Sequence, residues 1–560
     1  MKVQVAGIDV DPVVAAPLDP GFVPAALFNR KYREVASARG GVPVKLALER
    51  GDGSTSTYCT SVVRPECGYW PATQFYVERI IKFLLWQRGG WRVYVGGPAS
   101  IGEHIRTAYS PTGARKFDAE FMGGVYERPF EVVVTQSEDV SEARETTIPL
   151  GRHLDGCRVG FDLGASDRKC SAVIDGEVVF SEEVVWDPRH ASDPQYHYDG
   201  VMDSIRRAAR HLPRLDAVGG SAAGVYINNR VRVASLYRGV PPRAFEERIA
   251  PLFLRVRDEL GVPLEVVNDG EVTALAGSMS LGSNPVLGIA LGSSQAGGYV
   301  TAQGNITGWL NELAFVPVDY RADAPVDEWS GDSGCGVQYF SQVAAHRIAS
   351  GAGMAFEPGL GLPERLQVLQ QKMQAGDPLA ARVYETLGCY LGYGVAHYAE
   401  FYDLKHILIL GRVTTGPGGE ILLHKAEEVL RADFPPIAER VSIRLPDEAS
   451  RRVGQSIAAA SLPAIPSCGT KPGRIPQPRE EEGCATLEEA NETEPAESGN
   501  LGPGWSLGKP CPGAHHSYEH RRAPGRRRDY GPGGHPRGFR QSGKVVHRCD
   551  RHQRRRQSAR

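Results

Sequence analysis

Several things are scarce or missing in this chain of 560 residues, and each shortage removes a class of protein. No apolar run approaches the roughly 20 residues that span a bilayer. The most hydrophobic stretch, residues 75–86, carries Glu78, Arg79 and Lys82 at helical spacing and reads as an amphipathic helix. A basic segment followed by an apolar one is missing from the N-terminus, so no signal peptide is expected. The ten cysteines are scattered, with no CxxC pair and no regular framework. They are expected to be reduced cytoplasmic thiols, mostly buried as small apolar residues. Charge of one sign is missing too: 64 Lys and Arg face 66 Asp and Glu, a formal net charge of −2. That balance gives no reason to expect nucleic acid or an anionic membrane as partner.

What is present is length enough for two or three domains. Residues 1–150 read as a mixed α/β unit, with strands near 44–48 and 57–63 around Gly51-Asp52-Gly53, and further strands at 92–97 and 130–134. It contains no tandem helices of the kind that read DNA. Residues 151–466 hold short Val- and Ile-rich strands at 157–161, 169–173, 177–180, 217–220, 264–267 and 286–291. Helical stretches at 201–211, 242–260 and 270–280 separate some of them. Early hairpins followed by strand–helix alternation predict a mixed sheet with helices on its faces. After about 466 hydrophobic periodicity stops. An acidic stretch at 480–497 gives way to Gly, Pro, His and Arg, ending in Arg551-His552-Gln553-Arg554-Arg555-Arg556. Residues 467–560 are expected to be a disordered tail, because so little apolar surface cannot offset the entropy of ordering. The basic run has two readings, a contact for nucleic acid or an acidic partner and a solvated appendage. The second fits better, since charge runs are more often tails than sites.

Four motifs in the middle of the chain carry chemistry through their order. A strand runs into a small-residue turn at Asp162-Leu163-Gly164-Ala165-Ser166. Val266-Val267-Asn268-Asp269 leads into a helix. A second turn follows at Leu291-Gly292-Ser293-Ser294-Gln295-Ala296-Gly297-Gly298, and then Asn311-Glu312-Leu313. Small-residue turns let backbone N–H groups approach phosphate oxygens. A positioned carboxylate accepts the proton of an attacking hydroxyl. Together they outline a cleft that holds a phosphorylated nucleotide beside a hydroxyl. Singly, each has a plainer reading: a hairpin turn at Gly164, and an Asx pair capping a helix at Asn268-Asp269.

In this order the motifs resemble the ROK family of bacterial sugar kinases and sugar-sensing regulators, over about residues 157–463. The resemblance implies an α/β, two-lobed actin/hexokinase-like (ribonuclease H-like) ATPase fold, here with an extra N-terminal unit. It implies ATP and Mg2+, with Asp162 holding the magnesium through water. Asp162, Gly164 and Ser166 would lie at the nucleotide phosphates, with Gly292, Ser293 and Gly297 as the second phosphate turn. Gly411 would lie under adenosine, where Arg412 replaces a second glycine. Asp269 would be the catalytic base, and Asn268, Glu312 and Gln342 would bind the sugar. The chain departs from the family at the zinc-binding and sugar side. Phe315 stands where a histidine would bind sugar and zinc. One of three expected cysteines survives, as Cys335, and Gln342 replaces a sugar-binding glutamate. A structural zinc needs about four ligands, so no zinc site is expected and apolar packing around Phe315 and Phe340 is expected instead.

The expected function is ATP-dependent phosphorylation of a sugar or sugar derivative in the cytoplasm. The alternative is a catalytically inactive sugar- or nucleotide-binding sensor on the same fold. The expected partner is a small-molecule sugar, with no membrane and no nucleic acid, and a homodimer is left open. Three further features have plain readings: Gly96-Gly97-Pro98-Ala99-Ser100 as a strand-to-helix turn, Tyr196-His197-Tyr198 as an exposed loop, and Tyr393, Tyr398 and Tyr402 as core.

Overall fold

Val- and Ile-rich strands separated by tight turns build the first of two kinase-like lobes. The computed structural model describes residues 2–466 except 146, 149, 446 and 447, and side chains are described outside 146–149 and 446–453. The expected tail, 467–560, lies outside the described residues. Strands Cys157–Leu163, Asp167–Ile174 and Glu177–Val185 form an antiparallel meander. Ala217–Ala222 and Leu264–Asn268 then add parallel to the free side of the first. Val159, Phe161 and Val218 face a core shared with helices Pro194–Ala209 and Leu252–Leu260. On the opposite face Gly160 and Gly219 let helix Glu448–Ala460 lie directly on the sheet. A Cβ at Gly219 would collide with the Ala459 carbonyl.

The second lobe repeats the scheme. Its six-stranded sheet runs in the order Ser442–Arg444, His406–Leu410, Val286–Leu291, Gln295–Val300, Ile306–Thr307, Thr147–Ile148. Leu287, Ile289 and Leu291 join a core with helices Pro378–Tyr398 and Pro417–Asp433. On the other face Gly288 and Gly298 allow helix Asp269–Leu281 to approach. The two sheets with these crossovers make the actin/hexokinase-like fold. Tyr393, Tyr398 and Tyr402 are buried core.

Two local expectations are corrected. The helix read over 242–260 is broken into Pro242–Ala244, a wide turn over Phe245–Ile249 and Leu252–Leu260. Pro251 has no N–H to continue the ladder. Tyr196-His197-Tyr198 is not an exposed loop but the first turns of a helix capped by Asp193. His197 is fully buried, edge-on to Tyr237 at 4.9 Å.

The N-terminal part has its own sheet, ordered Thr55–Val62, Val42–Glu49, Arg92–Gly96, Glu131–Thr135. Helix Trp70–Arg88 lies between that sheet and the second lobe. Phe83 stacks on Phe401 at 3.9 Å and Trp86 on Phe315 at 4.3 Å. The amphipathic reading of 75–86 is therefore corrected: Glu78, Arg79 and Lys82 are buried. They join Arg115, Asp118 and Asp332 in a cluster of three cations and three carboxylates. Asp332 lies 3.1 Å from Arg79, 2.9 Å from Lys82 and 2.7 Å from Arg115. Lys82 also meets Asp118 at 3.1 Å. Periodicity sees only spacing; a charged stripe buries when the surrounding elements return the opposite charges. Among the described residues no helix is long and apolar enough to cross a membrane.

Burial alone would raise the Asp332 carboxyl, but Arg79, Lys82 and Arg115 outweigh it and hold it far below the ordinary range. Its folded-state pKa is depressed, so its stabilisation is present at neutral pH and lost as pH falls below the ordinary carboxylate pKa. Removing one partner of a buried ionic group costs about 3–5 kcal/mol. Asp332→Asn should therefore lower the melting temperature clearly at pH 7. The gap to the unsubstituted protein should shrink as pH drops below about 4. Coincident melting curves at pH 7 would show the cluster to be energetically inert.

Candidate functional site

The last parallel strand of the first lobe ends at Asn268, and helix Asp269–Leu281 starts at once. Asn268 caps it. Its Oδ1 accepts the Gly270 N–H at 2.8 Å, and its Nδ2 donates to the Gly224 carbonyl at 2.7 Å. Asp269 is thereby held at a helix N-terminus, where its Oδ1 also accepts the Gly270 N–H at 3.0 Å. Gly270 must lack a side chain because the Gly297 carbonyl occupies that space.

Three acids influence one another here. Burial, followed by the charge of Asp162, pushes Asp269 up to about 6 against the pull of its helix N–H groups. Burial, followed by Asp269, pushes Glu312 up to about 7. Asp162 is raised by burial, tempered by the Ser221 hydroxyl that donates to its Oδ1 at 2.6 Å. Asp162 and Ser221 are register partners on neighbouring strands. A lone carboxylate with a hydroxyl neighbour suits magnesium, which commonly keeps several waters and takes one or two carboxylates plus phosphate oxygens. Among the described residues no group of three or more His, Cys, Asp or Glu is arranged to hold a metal directly.

The small-residue turns differ in character. Gly164 turns a hairpin, its N–H donating to the Asp167 carbonyl at 2.9 Å, and the Ser166 hydroxyl donates to Asp167 at 2.9 Å. At the second turn the Gly292 N–H donates to the Ser294 carbonyl at 2.9 Å, with Ser293 and Ser294 exposed. Gly411, at φ 96°, backs onto Leu291, whose carbonyl leaves no room for a Cβ. The Gln342 N–H donates to the Gly292 carbonyl at 2.9 Å; its buried side chain leaves Oε1 unpaired. Arg412 is exposed, its carbonyl accepting from Gln370 at 2.7 Å. Gly297 lies elsewhere than the turn reading put it, inside strand Gln295–Val300, where a Cβ would collide with the Leu313 side chain and the Asn311 carbonyl. Its smallness lets the 311–313 segment lie against the strand.

The place of Glu312 comes from outside the kinase-like lobes. The carbonyl oxygens of Gln87 and Trp86, at the end of helix Trp70–Arg88, accept the N–H groups of Asn311 and Glu312 at 2.8 and 3.0 Å. Asn311 is buried with φ 50°, a left-handed conformation that asparagine tolerates. Its Nδ2 donates to Glu271 at 2.5 Å and its Oδ1 accepts from Tyr402 at 2.8 Å. Sequence reasoning passed over Glu271, Asn311 and Ser221. An acid amid the apolar residues 270–275 was the available signal for Glu271; Ser221 carried none.

Around Phe315 the rings of Trp86, Phe117, Phe121 and Trp329 gather, and Phe340 packs on Tyr398. Cys335 is the single thiol there, buried and pushed up to about 12. This donor set does not fit a structural zinc ion.

Asn311→Gly keeps the left-handed backbone but removes the side-chain donor of the Glu271 carboxyl. A buried polar group so orphaned costs about 1–3 kcal/mol. Thermal unfolding should record a loss of that size, and an unchanged melting temperature would remove Asn311 as the support of Glu271.

No protein-family model matches the chain. A glucokinase of Halalkalibacterium halodurans is 29% identical over 314 residues, which are 51% of this chain and 89% of that protein. Among solved structures, a ROK hexokinase from Thermus thermophilus aligns at a TM-score of 0.43 with 22% identity. The alignment covers 55% of this chain and 97% of the other. A ROK family glucokinase from Streptomyces griseus, in complex with glucose and AMPPNP, aligns at 0.42 with 21% identity, covering 55% and 99%. A ROK family transcriptional regulator, a homologue of an E. coli protein, aligns at 0.43 with 18% identity, covering 65% and 89%. Over about half of its length the chain is thus similar to ROK family proteins.

Proposed function

We propose that the chain is an ATP-dependent carbohydrate kinase, transferring a phosphoryl group to a hydroxyl of a sugar or sugar derivative. One observation carries the reading: Asp269, at a helix N-terminus, is raised to about 6 beside Asp162 and Glu312. A base with a pKa just below neutral is mostly ionised at pH 7, yet basic enough to take a proton in the transition state. Asp269 accepts the proton of the attacking hydroxyl. Asn268 and Glu312 hold the sugar, and Gln342 closes the site from the Gly292 turn. Backbone N–H groups of the turns at Gly164 and Gly292, with Ser166 and Ser293, orient the nucleotide phosphates. A magnesium ion held through water by Asp162 would offset charge on the phosphates. Residues 151–466 form the kinase core in this reading, and 1–150 a unit that builds its sugar side. The six described cysteines are free thiols, which fits a reducing compartment, so we assign the reaction to the cytoplasm.

One similar protein is a glucokinase, but Phe315 and Gln342 alter the groups that would meet the sugar. A site built to pair hydroxyls discriminates strongly on such changes.

The test is sugar-dependent ADP release by the full chain and by Asp269→Ala over a panel of hexoses, amino sugars and acetylated sugars. Release should vanish in the variant. Equal background from both proteins, with sugar still binding by calorimetry, would replace the kinase by a sensor on the same fold.

The pH dependence follows from the same acids. With Asp269 required as the anion, kcat/KM should fall as pH drops through about 6. Asp162→Asn removes the neighbouring carboxylate that raises Asp269, so the acid limb of its residual activity should move to lower pH. A limb that stays in place would dissociate the two carboxyls.

A further inference from the structure

A cavity of about 780 Å³ opens between the N-terminal unit and the two lobes. Its walls come from three directions: residues 50–52 and 125–128 of the N-terminal unit, 224–229 and 265–268 of the first lobe, and 306–310 with Glu271 of the second. Asn268, which the kinase reading assigns to the sugar, is part of the lining. The volume lies within the range of about 300–1,000 Å³ typical of pockets for sizeable ligands. It is several times what one six-carbon sugar fills.

The lining carries hydrogen-bonding groups with no protein partner. Glu271 and Thr307 are 5% and 6% exposed, and Glu271 Oε2 and Thr307 Oγ1 meet no donor or acceptor at bonding geometry. The Tyr299 backbone N–H gives the Glu271 carboxyl some hydrogen-bond support, which with Asn311 offsets part of the effect of burial. The Tyr126 hydroxyl is buried and unpaired as well. Buried polar groups are normally satisfied, so several orphans around one cavity point to a ligand that brings hydroxyls to them.

Charge argues against an anion. The lining holds four arginines and four carboxyls. Arg232 pairs with Glu127, Arg257 with Asp258 at 3.0 Å and Arg50 with Glu145 at 2.6 Å. Arg128 lies over the Trp91 ring. An anionic ligand calls for cations free to form charged hydrogen bonds, and most of these are already engaged.

We propose that this cavity receives the second ring of a neutral disaccharide whose first ring lies at Asn268, so that the acceptor is a two-ring carbohydrate. The phosphoryl-transfer part rests on the kinase reading above; the binding part does not.

Calorimetry of the full chain with maltose, cellobiose, trehalose and sucrose, against glucose, mannose and N-acetylglucosamine, tests it. At least one disaccharide should bind about tenfold more tightly than any of the single sugars, a difference of about 1.4 kcal/mol. Two variants probe the cavity itself. Gly308 lines it, and a Cβ there meets no heavy atom within 4 Å. Gly308→Phe should erase the disaccharide preference by filling the space. Thr307→Val keeps the shape, removes the hydroxyl and should weaken the disaccharide more than the single sugar. Single sugars binding as tightly as every disaccharide, or Gly308→Phe weakening both alike, would overturn the proposal. ADP release measured on the same panel separates the two readings. A disaccharide that binds without ADP formation sinks the kinase and supports the cavity. ADP formed on a single sugar, with no disaccharide bound, supports the kinase and sinks the cavity proposal.

Discussion

Two backbone hydrogen bonds at the end of helix Trp70–Arg88 fix the segment that carries Asn311 and Glu312. The last carbonyls of a helix have no partner within it, and here Trp86 and Gln87 find theirs in the N–H groups of Glu312 and Asn311. A helix of the N-terminal part therefore sets where the buried acid Glu312 stands. The partial negative charge at a helix C-terminus also works against ionisation of a carboxyl nearby. It acts in the same direction as burial and Asp269, which raise Glu312. Asn311 carries the connection further, through its amide to Glu271 and Tyr402.

The molecule uses buried carboxylates in two opposite ways. Asp332 is surrounded by Arg79, Lys82 and Arg115 and is held strongly ionised. Burial raises Asp162, Asp269 and Glu312, Asp269 further through the charge of Asp162 and Glu312 through that of Asp269. Desolvation acts on both groups; the amount of opposite charge close by decides its outcome. The first arrangement anchors helix Trp70–Arg88 to the segment around Asp332, close to where Trp86 stacks on Phe315. The second keeps protons within reach of neutral pH, as acid–base chemistry requires.

Much of this was legible in the chain. The strands at 157–161, 217–220, 264–267 and 286–291 announce themselves as short, largely apolar runs bounded by turn signals, a local property. Asn268-Asp269 was legible as a helix cap for a similar reason, since capping depends on a short local motif. Gly297 shows the limit of such reading, because a glycine required by a neighbouring segment, here Asn311 and Leu313, looks the same in sequence as one required by a phosphate. The charged positions of 75–86 were misread because helical spacing does not reveal what lies opposite.

By itself the sequence determined the alternation of strands and helices, the order of the motifs and the departures at Phe315 and Gln342, all of which depend on neighbouring residues. Only the tertiary structure decided that Glu78, Arg79 and Lys82 are interior and that Trp86 and Gln87 hold Asn311 and Glu312. It alone brought Glu271, Thr307 and Tyr126 to one cavity. Those contacts join residues up to about 250 positions apart. Hydrogen bonding and desolvation act through space, so no local pattern along the chain records them.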